Sequence, residues 1–193
     1  MDNKILTVTL PIAPSVNHSY KPRAFIAKGV PMVTIYKTSE AKLYQKQAAE
    51  TIRQAVKKQG WISRAYDKNL FVIVEAVVHF PRIDMDVNNL WKVLLDSVRD
   101  SEMIIPDDNK ILEKAVRVYY NSESPRIELS IYYAPYVGVF DNQDLYERFV
   151  NKNCDKCSRQ NRNCSIHKKA LESRFQIEID LEDLSCSKFK QKK

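Results

Sequence analysis

Ile83-Asp84-Met85-Asp86-Val87-Asn88-Asn89-Leu90-Trp91-Lys92-Val93-Leu94-Leu95-Asp96 is the stretch that decides the fold. It follows a strand-like run closed by Phe80-Pro81 and opens on two aspartates before an apolar pattern of helical period begins. Val87, Leu90, Leu94 and Val98 fall on one stripe, and Asn89, Lys92, Asp96 and Arg99 on the opposite one. That is the pattern of a helix with one buried side. Asp84 and Asp86 stand where strand hands over to helix, and a carboxylate there accepts the unpaired N–H groups of the first turn. A second acidic pair, Asp107-Asp108, follows Ser101 to Pro106, and a new strand-like run starts at Ile111. Strand, acidic turn, helix, acidic turn, strand is a compact way to bring carboxylates together, and hard cations such as Mg²⁺ take oxygen ligands of this kind. Lys92 would point from the same helix face as Asn89 toward such a cluster, where a cation holds a phosphate or stabilises developing negative charge. The same residues read equally as a capped helix with a solvated polar face and an Asp-rich turn.

Upstream, Lys4 to Leu10 alternates as a strand, with Leu6, Val8 and Leu10 on one face. Pro11 to Arg23 is rich in proline, serine and asparagine and reads as a loop, with Lys21 and Arg23 suited to phosphates. His18 has no sequence partner that would make it a ligand or a base. Val30 to Tyr36 is a short strand. Thr38 or Ser39 caps a helix that runs to about Lys58 and ends at Gly60, with Ala41, Tyr44, Ala48, Ile52 and Ala55 as its buried stripe. Asn69 to Phe80 is the strongest strand, with Val72, Val74, Ala76, Val78 and Phe80 on one face. Downstream, Ile111 to Tyr120 and Arg126 to Ala134 read as two strands of a hairpin. Glu113, on the face of Ile111, either adds an oxygen to the acidic cluster or makes a surface ion pair.

Composition bounds the function. The 193 residues suffice for one ordinary domain and an appendage, with 44% hydrophobic and 28% charged residues, so a packed core is expected. Three glycines leave no glycine-rich phosphate loop, which argues against a nucleotide-triphosphate engine. The net charge of +7 suits a polyanionic partner. The tail Lys188-Phe189-Lys190-Gln191-Lys192-Lys193 either touches phosphates or is a solvated end. No apolar run approaches membrane-spanning length, and the N-terminus lacks a signal-peptide pattern, so a cytoplasmic, thiol-reducing compartment is expected.

Pro135 marks a boundary, dividing the chain into 1–135 and 136–193. Beyond it, Asn142 to Asn151 reads as a short helix. Cys154-x₂-Cys157, six residues, then Cys164-x₂-His167 follow, with Cys186 able to replace His167. Two hooks of soft ligands two residues apart suit a structural tetrahedral Zn²⁺. The alternative is four ordinary thiols or disulfides. The polar, basic insert between the hooks suggests a small knuckle with little core of its own. Arg159, Arg162, Lys168 and Lys169 offer contacts to DNA, or the segment contacts a protein.

Residues 1 to about 135 resemble the RusA family of Holliday-junction resolvases, endonucleases common in prophages. The resemblance rests on four stretches in order. Pro14-Ser15-Val16-Asn17-His18-Ser19-Tyr20 is similar to the family's P-S-x-N-x-x-Y loop. Thr38-Ser39-Glu40 with Tyr44 opens a helix in the same way. Asn89 to Asp96 matches N-x-x-K-x-x-x-D, and Asp107-Asp108-Asn109-Lys110-Ile111 matches D-D-x-x-V. The chain departs at the family's D-x-D-N-x-x-K motif. Aligned without gaps, Asp86 takes the first aspartate and Asn88 the second; otherwise Asp84 and Asp86 are the pair, with two extra residues in the turn. Asn88 offers a carbonyl oxygen and no charge.

The resemblance implies an α/β (α+β) fold, a RusA-like mixed sheet with two main helices, carrying the zinc-knuckle-like appendage outside it. It also implies a homodimer that binds four-way DNA junctions and nicks two opposed strands symmetrically with Mg²⁺ or Mn²⁺. By carry-over, Asp86 or Asp84 and Asp108 hold metal, with Asp107 and Asp96 close by, and Lys92 contacts the scissile phosphate or helps activate water. Asn17, Tyr20 and Asn89 join Lys21 and Arg23 as the DNA-contacting set. Two other readings compete: a non-catalytic branched-DNA binder that has lost metal chemistry at Asn88, and an interaction adaptor acting through the zinc tail.

Overall fold

The computed structural model describes residues 4–67, 69–105, 108–160 and 163–192, with Asp108 described by its backbone alone. The chain divides into two compact units, Met1–Tyr132 and Tyr133–Lys193.

The first unit is built on a four-stranded mixed sheet. Its strands are β1 (Leu6–Leu10), β4 (Val72–Phe80), β5 (Ile111–Tyr120) and β6 (Arg126–Tyr133), in the order β1-β6-β4-β5. Strict alternation in β1, β4 and β6 sends every second side chain into the core: Leu6, Val8 and Leu10; Val72, Val74, Ala76, Val78 and Phe80; Ile127, Leu129 and Ile131. Two more strands, β2 (Tyr20–Ala27) and β3 (Val30–Lys37), form a separate antiparallel ribbon.

Two helices pack against this sheet and add to its core. Helix α2 (Ser39–Gln59) is capped by Thr38, whose hydroxyl accepts from Ala41 N, and it stops at Gly60 in the left-handed conformation (φ 57°). It buries Ala41, Tyr44, Gln45, Ala48, Ala49, Ile52 and Val56. Ala55, assigned to the stripe from sequence, is only half-buried, and Val56 takes its place. Helix α3 (Trp91–Asp100) buries Val93, Leu94 and Val98, with Leu90 just ahead of it. Arg53 of α2 donates to the carbonyls of Asp100 (2.7 Å) and Ser101 (3.1 Å), satisfying orphan acceptors at the end of α3.

Three expectations are corrected. Strands β5 and β6 do not form a hairpin: β4 lies between them, and β5 pairs parallel to β4 from Val72↔Ile111 to Phe80↔Tyr120. Helix α3 is thus the crossover of a strand–helix–strand unit, as a parallel pair requires. Asn121 N donates to Phe80 O (2.7 Å), so the five-residue link to β6 crosses the end of β4 instead of turning back tightly. Second, the segment Pro11 to Arg23 is not all loop. It holds the one-turn helix α1 (Val16–Ser19), and the first residues of β2 are drawn into the ribbon despite Pro22. Third, Asp96 does not lie on a solvated stripe but is buried, at 7% exposure.

The second unit contains α4 (Gln143–Phe149), a π-helical turn (Val150–Cys154), α5 (Ser165–Leu171) and the two-residue strands β7 (Ile179–Asp180) and β8 (Ser185–Cys186). Asn142 caps α4 by accepting from Leu145 N (2.9 Å). The unit has more core than its polar sequence suggested: Phe140, Phe149, Cys154, Ala170, Ile179 and Leu184 pack as one buried cluster. Buried Asn153 ties this core together, donating to Phe149 O (3.0 Å) and Leu184 O (2.9 Å). The basic tail is no loose end, because Ser158 N donates to Lys190 O and Lys192 N to Lys156 O. No described helix is long and apolar enough to cross a membrane.

Candidate active site

Strand β4 ends at Phe80, and the chain then runs through Pro81 and Arg82 to Asp84 and Asp86 before the helical turn Val87–Asn89 leads into α3. Asp86 is the N-cap of that turn, its Oδ1 accepting from Asn88 N (2.9 Å). Asp84 pairs with Arg82 (3.2 Å). Both aspartates line one open cleft of about 650 Å³, together with Asn89, Glu40 from the first turn of α2 and His18 from α1. Asn88 is exposed and does not line this cleft. His18 and Glu40 were not candidates from sequence. Their only link to the aspartates is spatial, through helices that start more than 40 positions upstream.

A polar cluster around Asp96 holds α3 to the ribbon and α2. Lys37, the last residue of β3, makes an ion pair with Asp96 Oδ2 at 2.7 Å, and Tyr20 Oη donates to the same oxygen at 3.3 Å. Arg99 reaches Asp96 Oδ1 at 3.5 Å. Lys37 also donates to Gln45 of α2, whose amide donates to Asp100. A buried carboxylate is stable only when it is paired and hydrogen-bonded in this way. The Nζ atoms of Lys37 and Lys92 each lie 5.7 Å from the centroid of the Tyr20 ring, so Tyr20 sits among two cations and a carboxylate. The sequence motif therefore resolves into two tasks: Asp96 faces inward and anchors, while Lys92 stays exposed.

Asn17 is exposed on α1, and Lys21 and Arg23 are exposed on β2. Alternation places Lys21 and Arg23 on one face of the ribbon with their cross-strand neighbours Tyr36 and Thr34. Asp107 lies outside the described residues, as does the side chain of Asp108, whose backbone forms the short turn Asp108–Lys110 that leads into β5. Glu113 is exposed on β5. Among the described residues, no group of three or more His, Cys, Asp or Glu side chains forms a ready-made metal cage.

In the second unit, Cys154, Cys157, Cys164, Cys186 and His167 all line one small cavity, and all four thiols are free. Burial, followed by the neighbouring Cys164, Cys186 and Cys157, pushes the Cys154 thiol up to about 12. Burial also acts to raise the Cys157 thiol, but backbone N–H groups and the charge of Arg159 outweigh it and bring the thiol below its ordinary value. Burial lowers the imidazole of His167, which stacks on Tyr146 at 5.9 Å. Arg162 lies outside the described residues.

The first unit is thus a mixed α/β fold whose strand–acidic turn–helix–strand segment lines an open cleft with carboxylates. Residues 11–132 match the sequence model of the family described as Endodeoxyribonuclease RusA, and the chain belongs to that family. Members of that family are endodeoxyribonucleases that act on branched DNA junctions, and the coarse activity supported for this chain is that of a DNA endonuclease. No curated protein matches the chain. Among solved structures it is similar to one described as an IspF (Plasmodium falciparum) CDP complex, with 16% identity over 69% of this chain and 96% of that one and a TM-score of 0.25.

Proposed function

We propose that the Met1–Tyr132 unit is a divalent-metal-dependent resolvase that cuts four-way DNA junctions by paired nicks, and that Asp84 and Asp86 are its strand-end carboxylate pair. The observation that carries this reading is the cleft, which both aspartates and Asn89 line while Asn88 stays outside. It favours an acidic turn lengthened by two residues over replacement of a carboxylate by Asn88. The donor chemistry fits a hard cation, since the cleft offers carboxylate oxygens and lies open to solvent.

Asp84, Asp86 and Asp108 would hold the metal, with Asp107 next to them; Mg²⁺ is the expected ion and Mn²⁺ its substitute. When bound, the cation supplies an activated water and neutralises phosphate charge. The chain's own residues do the rest. Glu40 and His18 line the same cleft and would orient water by hydrogen bonding. Lys92, exposed beside Tyr20, contacts the scissile phosphate. Asn17, Tyr20, Lys21, Arg23 and Asn89 hold the DNA backbone, and contacts of that kind fix register without reading sequence.

The dimer that such a substrate calls for has support in the ribbon. Register places Pro22, Ala24 and Ile26 with Pro31, Val33 and Ile35 on one face, and Ile26, Val33 and Ile35 are 70–75% exposed. An isolated two-stranded ribbon is marginal in water, and an apolar face over its distal half suits a self-complementary contact about a two-fold axis.

The test is a synthetic four-way junction and a matched duplex, incubated with Mg²⁺, Mn²⁺ or EDTA and with wild type, Asp84→Asn, Asp86→Asn, Asp108→Asn or Asn88→Ala. Metal-dependent cutting of the junction alone, lost in all three aspartate variants and kept in Asn88→Ala, is expected. Loss in Asn88→Ala with retention in Asp84→Asn would reverse the assignment of the acidic pair. Junction binding without cutting in either metal would make the protein a non-catalytic binder.

A further inference from the structure

We propose that the Tyr133–Lys193 unit is held together by one structural Zn²⁺ bound to four thiolates, Cys154, Cys157, Cys164 and Cys186, with His167 outside the ligand set. The four sulfurs come from four separate places: the end of the π-helical turn, the loop after it, the N-cap of α5, and β8. Thirty-two positions separate the first from the last, yet all line one cavity of about 20 Å³; they do not stand as a ready-made cage, and the metal would draw them together. That is room for roughly one small sphere, and nothing apolar of useful size fits it. None of the four is in a disulfide.

Two further observations point to a metal and not to idle thiols. Four thiolates on Zn²⁺ leave two residual negative charges, and Arg159 and Lys188 line the same cavity. The unit is also about 60 residues long, a size at which apolar burial alone is marginal and a metal staple is a common remedy.

Cys186 is favoured over His167 for the fourth position. Cys186 lines the cavity with the other three cysteines and is held there by the pairing of β8 with β7. The imidazole of His167 is engaged elsewhere, with Nε2 3.4 Å from Tyr146 Oη and its ring stacked 13° from parallel. With Cys186 as a ligand, the metal joins β8 to the Cys154–Cys157 loop. The C-terminal segment already pairs with that loop through Ser158–Lys190 and Lys192–Lys156.

The inference stands apart from the nuclease reading, and its test reads metal, not cutting. The full chain is prepared with zinc, assayed for metal content, and then exchanged with Co²⁺. Wild type and His167→Ala are expected to hold one zinc per chain and to give the charge-transfer and ligand-field bands of a tetrahedral four-thiolate Co²⁺ site. Cys186→Ser is expected to lose zinc to a chromophoric chelator about tenfold or more readily. If that variant fails to fold, X-ray absorption at the zinc edge of wild type decides, with four sulfur neighbours expected. Three sulfurs and one nitrogen, or zinc lost in His167→Ala and kept in Cys186→Ser, would overturn the ligand set. A wild-type chain without zinc and without cobalt–thiolate bands would overturn the site.

Discussion

Asp96 is a motif aspartate that works from inside the fold. Its partners Lys37, Tyr20 and Arg99 come from β3, β2 and α3, so its carboxylate fixes where the ribbon meets the helix. Removing the charge strands Lys37 in a half-buried position. Asp96→Asn is therefore expected to cost about 2–3 kcal/mol in urea unfolding. A double-mutant cycle with Lys37→Met should recover part of that loss, because it removes the orphaned cation. Tyr44 gives a pH-dependent counterpart. Burial pushes its phenol well above the ordinary tyrosine range, and its hydroxyl donates to Pro11 O at 3.0 Å. A raised folded-state value means that its contribution is complete below the unfolded value near 10 and is lost as pH climbs beyond it. Tyr44→Phe is expected to be less stable by about 1 kcal/mol at pH 7, with the gap closing above about pH 10. Equal gaps at both pH values would count against this role. Sequence alone could propose Asp96 and Tyr44 as important, but not Lys37, Glu40 or His18, because long-range pairing leaves no periodic trace.

At the scale of elements, local chemistry was the readable part. Thr38 and Gly60 bracket α2 as their residue types suggest, and the alternation of β1, β4 and β6 appears directly as burial. Thr38→Ala is expected to lower stability by about 1 kcal/mol through loss of the cap. Gly60→Ala is expected to cost about 1 kcal/mol from its left-handed backbone alone, since an added Cβ would meet nothing closer than Lys4 Nζ at 3.7 Å. Gly138 differs in kind. A Cβ there would stand 2.1 Å from Ala170 O, so Gly138→Ala should disrupt the Tyr133–Lys193 unit while far-ultraviolet and thermal signals of the other unit persist. What the sequence could not convey was partner choice. Strands β5 and β6 are neighbours in sequence with a turn-like link, but insertion of β4 between them depends on α3 serving as a crossover, a whole-sheet property. The tail held a similar surprise: its residues are exposed, but its backbone pairs with the cysteine loop, which charge alone does not convey.

At the scale of the molecule, the chain combines a RusA-family nuclease unit with a small C-terminal unit that the family match does not reach. The two make separable predictions. Chelation strong enough to strip zinc is expected to melt the C-terminal unit, followed by tyrosine fluorescence, without abolishing the first unit's unfolding transition. The apolar ribbon face predicts a dimer that Ile26→Lys with Val33→Lys converts to monomer, read by sedimentation equilibrium. The central claim is that two symmetric metal-dependent sites nick opposed strands of one junction. It is tested most directly on a supercoiled plasmid carrying an extruded cruciform. Paired nicks within the lifetime of one complex turn the plasmid into linear product in Mg²⁺, and Asp86→Asn abolishes this. Uncut plasmid, or nicked circles alone with the wild-type protein fully bound, would contradict the account.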